Sequence, residues 1–439
     1  MMPRDTGASR RRPGWYRFAW FIGRAPELTA RQWRVLGLVS AVSFFETYDV
    51  YLFSLNLKQI QAELAIAESD LGLLGSIVRA GSLLALGLAM FADRVGRRRM
   101  LLVTVVGYTL LTGATALAPT AEAFVALQFF ARAFAIAESI LATVVIVEEF
   151  GSEHRGWGLG AAAAIQSCGA GAAALAFSLV DVLPFGWRSL YAFGLVPLML
   201  LAYWRRTLPE TERFEALRRE RGVSASLVPG AGAVVALLKQ YPGRLLTILG
   251  ASFILSMATT ALGFFTPKYL QDVHGWSPGA VALTTFFGGA FAILGNPIAG
   301  RLSDRIGRRP VAIVCALALG GFGIAFYSAE GFVLPVLWVC LLFVEFGVAV
   351  TFAALSAELF PTASRSTAAG ARTFASAAGA IASLAAVSWL FGVFGNNWDG
   401  IRTVAALCLL VPFIVWLFVP ETARRDLDDI APGVQDSSK

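Results

Sequence analysis

Six ionisable residues interrupt long apolar stretches of this chain: Glu46, Asp49, Arg79, Arg132, Glu138 and Glu345. In a hydrocarbon environment such a residue costs at least about 2.5–3.5 kcal/mol on insertion scales, so each requires a partner or a purpose. Glu46 and Asp49 are i and i+3, and therefore project from one face of a helix. Two carboxylates so close in a low dielectric repel, which favours one of them holding a proton. Arg79 and Arg132 keep their charge and must pair with an acid or with an anion that comes and goes. Exchange between those two partners would link anion binding to proton movement. The alternative for Asp49 and Arg79 is a permanent buried pair that only fixes helix register. Glu138 and Arg132 make a poor intrahelical pair, because six residues set them about 120° apart on the helical wheel.

The elements that position these residues follow from composition. Hydrophobic residues make up 57% of the 439 and charged ones 15%, and mean hydropathy is +0.66. A soluble domain is about 45–50% apolar and 25% charged, so this chain requires lipid as its solvent. Twelve stretches approach the roughly 20 apolar residues a spanning helix needs. Six lie within 35–204 and six within 245–419. At about 1.5 Å per residue from the cytosolic helix ends, the six charges lie roughly 15–24 Å deep. They share a level near the middle of a core about 30 Å thick.

The net charge of +7 is not that of a nucleic-acid binder, because of where the basic residues fall. They crowd the first 34 residues, the segment 205–244 and two short loops, while the intervening loops carry little more than Lys58 and Lys268. That alternation follows the positive-inside rule and predicts both termini in the cytosol of a plasma-membrane protein. The predicted organisation is a basic tail (1–34), a six-helix bundle (35–204), a cytosolic loop (205–244), a second bundle (245–425) and a tail (426–439). Within the central loop, 231–239 has the pattern of a short amphipathic interfacial helix. The four cysteines sit in apolar runs without paired spacing and read as reduced thiols.

The two bundles repeat one another. Asp93-Arg94-Val95-Gly96-Arg97-Arg98 returns as Asp304-Arg305-Ile306-Gly307-Arg308-Arg309, and Pro209-Glu210-Thr211 returns as Pro420-Glu421-Thr422, both at an offset of 211. Glu148-x-Phe150 with Arg155 returns as Glu358-x-Phe360 with Arg365 at 210. Motifs in one order and at one spacing indicate a duplicated half. Spans five and eleven are also rich in small residues, which lets helix backbones approach closely in lipid.

Over roughly residues 34–425 these motifs resemble the major facilitator superfamily. The Asp-Arg-x-Gly-Arg-Arg loops are similar to its signature loop, although the glycine that opens the pattern, present as Gly300, is Ala89 in the first copy. The Pro-Glu-Thr motifs resemble those of sugar porters and metabolite–proton symporters. Glu46-Thr47-Tyr48-Asp49-Val50-Tyr51 is similar to a pattern of metabolite and aromatic-acid proton symporters. Gln128 stands where those families carry an arginine, which makes Arg132, one turn on, the substitute.

The resemblance implies an all-α membrane protein of twelve helices in two six-helix repeats. It implies a proton-coupled transporter of a small organic anion or metabolite, not an enzyme, with no cofactor. Export in exchange for protons and a non-transporting sensor remain the alternatives. Protons would be carried by Asp49, Glu46, Glu138 or Glu345. Substrate would meet Arg79, Arg132, Tyr48, Tyr51, Phe264 and Trp389. The loop residues Asp93, Arg97, Asp304, Arg308, Glu148 and Glu358 would form a conformational latch. Expected partners are a small-molecule substrate, protons and the lipid bilayer, with no metal and no nucleic acid, for a chain expected to be monomeric.

Overall fold

In the computed structural model the described residues are 13–150, 153–205, 231–361 and 364–423, and among them every regular element is helical. The helices are α1 (Ala30–Leu55), α2 (Leu57–Glu63), α3 (Leu71–Val95), α4 (Arg97–Thr115), α5 (Ala121–Glu149), α6 (Arg155–Phe177) and α7 (Trp187–Arg205). There follow α8 (Ala231–Gln240), α9 (Pro242–Asp272), α10 (Pro278–Ala292), α11 (Gly295–Ile306), α12 (Arg308–Phe326) and α13 (Val333–Glu358). The last are α14 (Arg365–Phe394), α15 (Asn397–Ala406) and α16 (Val411–Phe418). Ten helical stretches among the described residues are long and apolar enough to cross a membrane. Two of these are broken runs. Pro278–Ile306 turns between α10 and α11, and Asn397–Phe418 passes through a 3-10 turn at Leu407–Leu410. The apolar part of α4 is shorter, and α7 contains Pro197. The amphipathic segment expected at 231–239 is helical as α8. The Pro209 motif and the acidic–basic stretch after it lie outside the described residues.

The chain divides into two compact units: Met1–Leu55 with Gly81–Leu227, and Asn56–Ala80 with Val228–Lys439. Within the first, Leu36 and Val39 of α1, Leu101 of α4, Leu141, Val145 and Ile146 of α5 and Ala161 of α6 form one buried cluster. Within the second, Tyr269 packs against Tyr327 (4.6 Å between centroids) and Trp398 (5.0 Å), while Thr266 Oγ1 and Tyr327 Oη share a 3.0 Å hydrogen bond.

Helices pack closely in lipid when small residues let backbones meet. A Cβ on Gly169 of α6 would overlap the Phe44 carbonyl of α1, and one on Gly379 of α14 would overlap the Phe253 carbonyl of α9. Gly81 of α3 meets the Phe129 carbonyl of α5 in the same way, and Gly295 of α11 meets that of Phe343 in α13. Other details also come in pairs. Gly96 and Gly307, each at the break before a helix, have φ of 107° and 124°. The Arg155 guanidinium donates to the Phe150 carbonyl (3.1 Å), and that of Arg365 donates to Phe360 (3.2 Å).

Candidate functional site

The first unit gathers acids, one guanidinium and several hydroxyls in its interior. Glu46 and Asp49, each 5% exposed, lie on one face of α1 as their spacing requires. The Arg132 guanidinium of α5 lies near both carboxyls and the Tyr108 phenol and feels their charge. Gln128, one turn earlier on α5, donates to Thr115 Oγ1 (3.2 Å) and reaches the Asp49 carboxylate. Tyr108 donates to the Phe45 carbonyl (3.0 Å) and Tyr48 to the Leu190 carbonyl of α7 (3.1 Å), which anchors α1 beside the acids.

The polar atoms here with no hydrogen-bond partner among the described residues include Asp49 Oδ1, Arg132 Nε and the Tyr191 hydroxyl, which lies close to Asp49. Orphaned buried polar atoms are costly, so native structures keep few of them. Chemically, two carboxyls face one guanidinium. Full ionisation makes the acids compete for Arg132, and a proton on one of them leaves a matched pair. An anion arriving at Arg132 would compete with the same carboxylates.

Glu138 lies on the same helix as Gln128 and Arg132. It is fully buried on α5 and accepts a hydrogen bond from Thr104 Oγ1 of α4 (2.9 Å). Tyr51 is 43% exposed and does not join the buried cluster. Arg79, half-buried on α3, falls in the second unit, as does Glu345, half-buried on α13 with no hydrogen bond or ion pair among the described residues. Phe264 is buried against Gly75, Thr260 is buried, and Trp389 is 71% exposed. Arg372 of α14, whose Nε is buried without a partner among the described residues, was not singled out from the sequence. The signal was available, since it is a cation inside the run of small residues, seven positions beyond Arg365.

The second copy of the signature loop forms a connected polar group. Arg308 pairs with Asp304 (2.8 Å) and Glu358 (3.1 Å), and Thr422 Oγ1 donates to the other Glu358 oxygen (2.6 Å). Glu421 accepts from the backbone amides of Arg308 (2.8 Å) and Arg309 (3.2 Å), capping the start of α12 where an anion is favoured. In the first copy the side chains of Asp93 and Arg97 lie outside the described residues. Glu148 is half-buried, and the neighbouring Glu149 accepts a bidentate pair from Arg31 (2.6 and 2.8 Å).

Lys268 corrects the sequence reading, which put it in a loop between spans. Here α9 runs on through Pro267 to Asp272, and Lys268 is 3% exposed. Its ammonium is matched by Asp272 and by Glu68 (3.1 Å), while Lys58 reaches Asp272 (2.9 Å). Asn397 donates to Glu68 Oε1 (2.9 Å) and Gln61 to Oε2 (2.7 Å). A buried cation persists here because two carboxylates and their hydrogen bonds compensate it.

The chain resembles several known proteins in sequence and in fold. It is 25% identical over 404 residues to the cis,cis-muconate transport protein of Acinetobacter baylyi, covering 89% of this chain and 95% of that one. It is 24% identical over 307 residues to a probable 4-methylmuconolactone transporter of Cupriavidus pinatubonensis (68% and 69% covered). It is 28% identical over 307 residues to a citrate-proton symporter of Salmonella typhi (64% and 68%). Its fold matches the inward-open xylose transporter XylE from E. coli, with a TM-score of 0.70 at 20% identity over 91% of this chain and 99% of that one. The family model for the Major Facilitator Superfamily matches residues 39–356 and 275–434. This multi-pass membrane chain is therefore a transporter belonging to the Major Facilitator Superfamily.

Proposed function

We propose that the protein takes up a small organic anion together with protons, by alternating access, with Arg132 as the anion's anchor and Asp49 as the proton carrier. The observation that carries this reading is the burial of Glu46 and Asp49 against one guanidinium that retains an unsatisfied N–H. A guanidinium in a low-dielectric site must be balanced, and either a carboxylate of the protein or one of the substrate can balance it. Protonating Asp49 leaves Glu46 as the one carboxylate the substrate must displace from Arg132, and losing the substrate returns Arg132 to both acids. Muconate and citrate, named for two of the relatives, carry the carboxylates such an anchor needs. Glu46 shares the site with Asp49, while Glu138 and Glu345 stand as secondary proton sites.

The same proposal has twelve spanning helices in two repeats, 35–204 and 245–425, joined by a cytosolic loop at 205–244. The paired glycine crossings and the paired Arg155 and Arg365 hydrogen bonds support it. In this scheme the polar group at Asp304, Arg308 and Glu358, with Asp93, Arg97 and Glu148 in the first copy, latches one conformation.

Proteoliposomes holding the purified protein test the function. An inward-directed pH gradient should drive accumulation of muconate, citrate or an aromatic carboxylate above its external concentration. Efflux driven by that same gradient would make the protein an exporter, and the absence of both flux and exchange for all three would remove the transport reading.

A further inference from the structure

The segment before α1 has two faces of different character. Trp15, Tyr16 and Ile22 pack on the cluster formed by Trp33 of α1, Val145 and Phe150, and Ala19 is buried with them. Trp33 meets Trp15 edge-on at 5.5 Å, Tyr16 at 5.2 Å and Trp157 at 6.0 Å. Gly37 makes room for the indole, since a Cβ there would come within 3.2 Å of Trp15 Nε1. Tyr16 Oη donates to the Gly23 carbonyl (2.8 Å) and accepts from the Ala25 amide (3.1 Å), closing the segment on itself. The segment is therefore a fixed part of the first unit.

Its other face is Arg17, Phe18, Phe21 and Arg24. Phe18 is 84% exposed and Phe21 44%, and both arginines are exposed without an ion pair among the described residues. This stripe ends six residues before Ala30, where the first membrane-spanning helix begins. Arg4, Arg10, Arg11 and Arg12 precede it in the sequence. Exposed aromatic rings flanked by arginines at a helix–bilayer junction match a surface that puts rings at the acyl boundary and cations among headgroups.

We infer that this stripe is a docking surface for the anionic phospholipid headgroups of the bilayer the chain itself spans. Phe18 and Phe21 enter the interface, and Arg17 and Arg24 hold phosphates beside them. Charge complementarity selects the occupant: a cationic rim around apolar rings fits an anionic lipid surface and fits a neutral one poorly. The inference needs only that the chain spans a bilayer, so it stands or falls apart from the substrate and the coupling ion.

The test uses full-length protein in nanodiscs of phosphatidylcholine alone or with phosphatidylglycerol added. A nitroxide at Phe18→Cys, in a variant whose native cysteines are serine, reports depth through its relative accessibility to oxygen and to an aqueous nickel chelate. With phosphatidylglycerol the label should be shielded from the chelate. Arg17→Gln/Arg24→Gln should undo that shielding, because two arginines at an anionic surface are worth roughly thirty-fold in the docked equilibrium. In an otherwise native chain, the same double substitution should lower the phosphatidylglycerol retained after detergent extraction. Equal chelate access in both lipids would overturn the inference, as would shielding indifferent to both lipid charge and the arginines. Capture of a protein on this face with no lipid dependence would overturn it as well.

Discussion

Asp49→Asn is nearly isosteric and removes one of the two carboxylates facing Arg132. Glu46 remains to balance the guanidinium, so the bundle should fold and the site should still bind. What is lost is a carboxyl able to give up a proton when Arg132 turns to it. With one proton coupled per substrate, each pH unit of gradient supports about tenfold accumulation, since one unit is worth 1.36 kcal/mol. The wild-type protein in proteoliposomes should therefore concentrate substrate about tenfold under a one-unit gradient. Asp49→Asn should equilibrate it and stop, while radiolabelled counterflow continues. Arg132→Ala is the complementary perturbation. It deletes a charged donor with a free N–H, worth about 1.5–3 kcal/mol, so anion affinity should fall roughly 10- to 150-fold. If Glu46→Gln/Asp49→Asn still accumulates substrate to the full gradient, the proton is carried elsewhere and the assignment of these acids is wrong.

Lys268→Met should lower stability by about 1–2 kcal/mol, discounted for the partial exposure of Glu68 and Asp272, and a thermal-shift assay showing no loss would contradict the buried charge network. Gly169→Ala should cost about 1–3 kcal/mol through backbone overlap, whereas Gly160→Ala, facing open space on the same helix, should cost nothing measurable in the same assay. Arg308→Gln should slow transport while substrate affinity stays within a few-fold; lost affinity with unchanged exchange rates would argue against a latch. Cysteines introduced at positions 8, 225 and 435 should resist a membrane-impermeant thiol reagent in intact cells, and ready labelling of all three would reverse the proposed topology.

The sequence made the acidic pair and its cation legible for a simple reason. Charges inside apolar runs stand out, and i, i+3 spacing fixes their shared face. Arg132 drew attention for the same reason, and in the structure Gln128 and Arg132 both lie in the neighbourhood of Asp49. What escaped notice was whatever depended on distant chain segments. Glu149, not flagged by any motif, receives Arg31 from 118 residues away. Tyr108 and Tyr191 look like ordinary aromatic residues until the fold turns their hydroxyls toward Asp49. Lys268 had the look of a loop cation, because hydropathy alone cannot register that Glu68, two hundred residues earlier, neutralises it. Arg372 was passed over because its helix stood out for small residues rather than for charge.

The glycine crossings carry a consequence for how this chain can change over time. At Gly107 and Gly113 the obstacle to a larger residue is a side chain, the Phe134 ring and the Leu195 branch, so a second substitution at 134 or 195 can make room. At Gly81, Gly169, Gly295 and Gly379 the obstacle is a main-chain carbonyl oxygen. Every amino acid that could replace Phe129, Phe44, Phe343 or Phe253 brings the same oxygen to the same place. A genetic screen for second-site suppressors should recover revertants of Gly107 and Gly113 variants at their facing residues. For the four crossing glycines no substitution at the facing position removes the obstructing oxygen, so suppressors should map instead to residues whose change lets the two helices part.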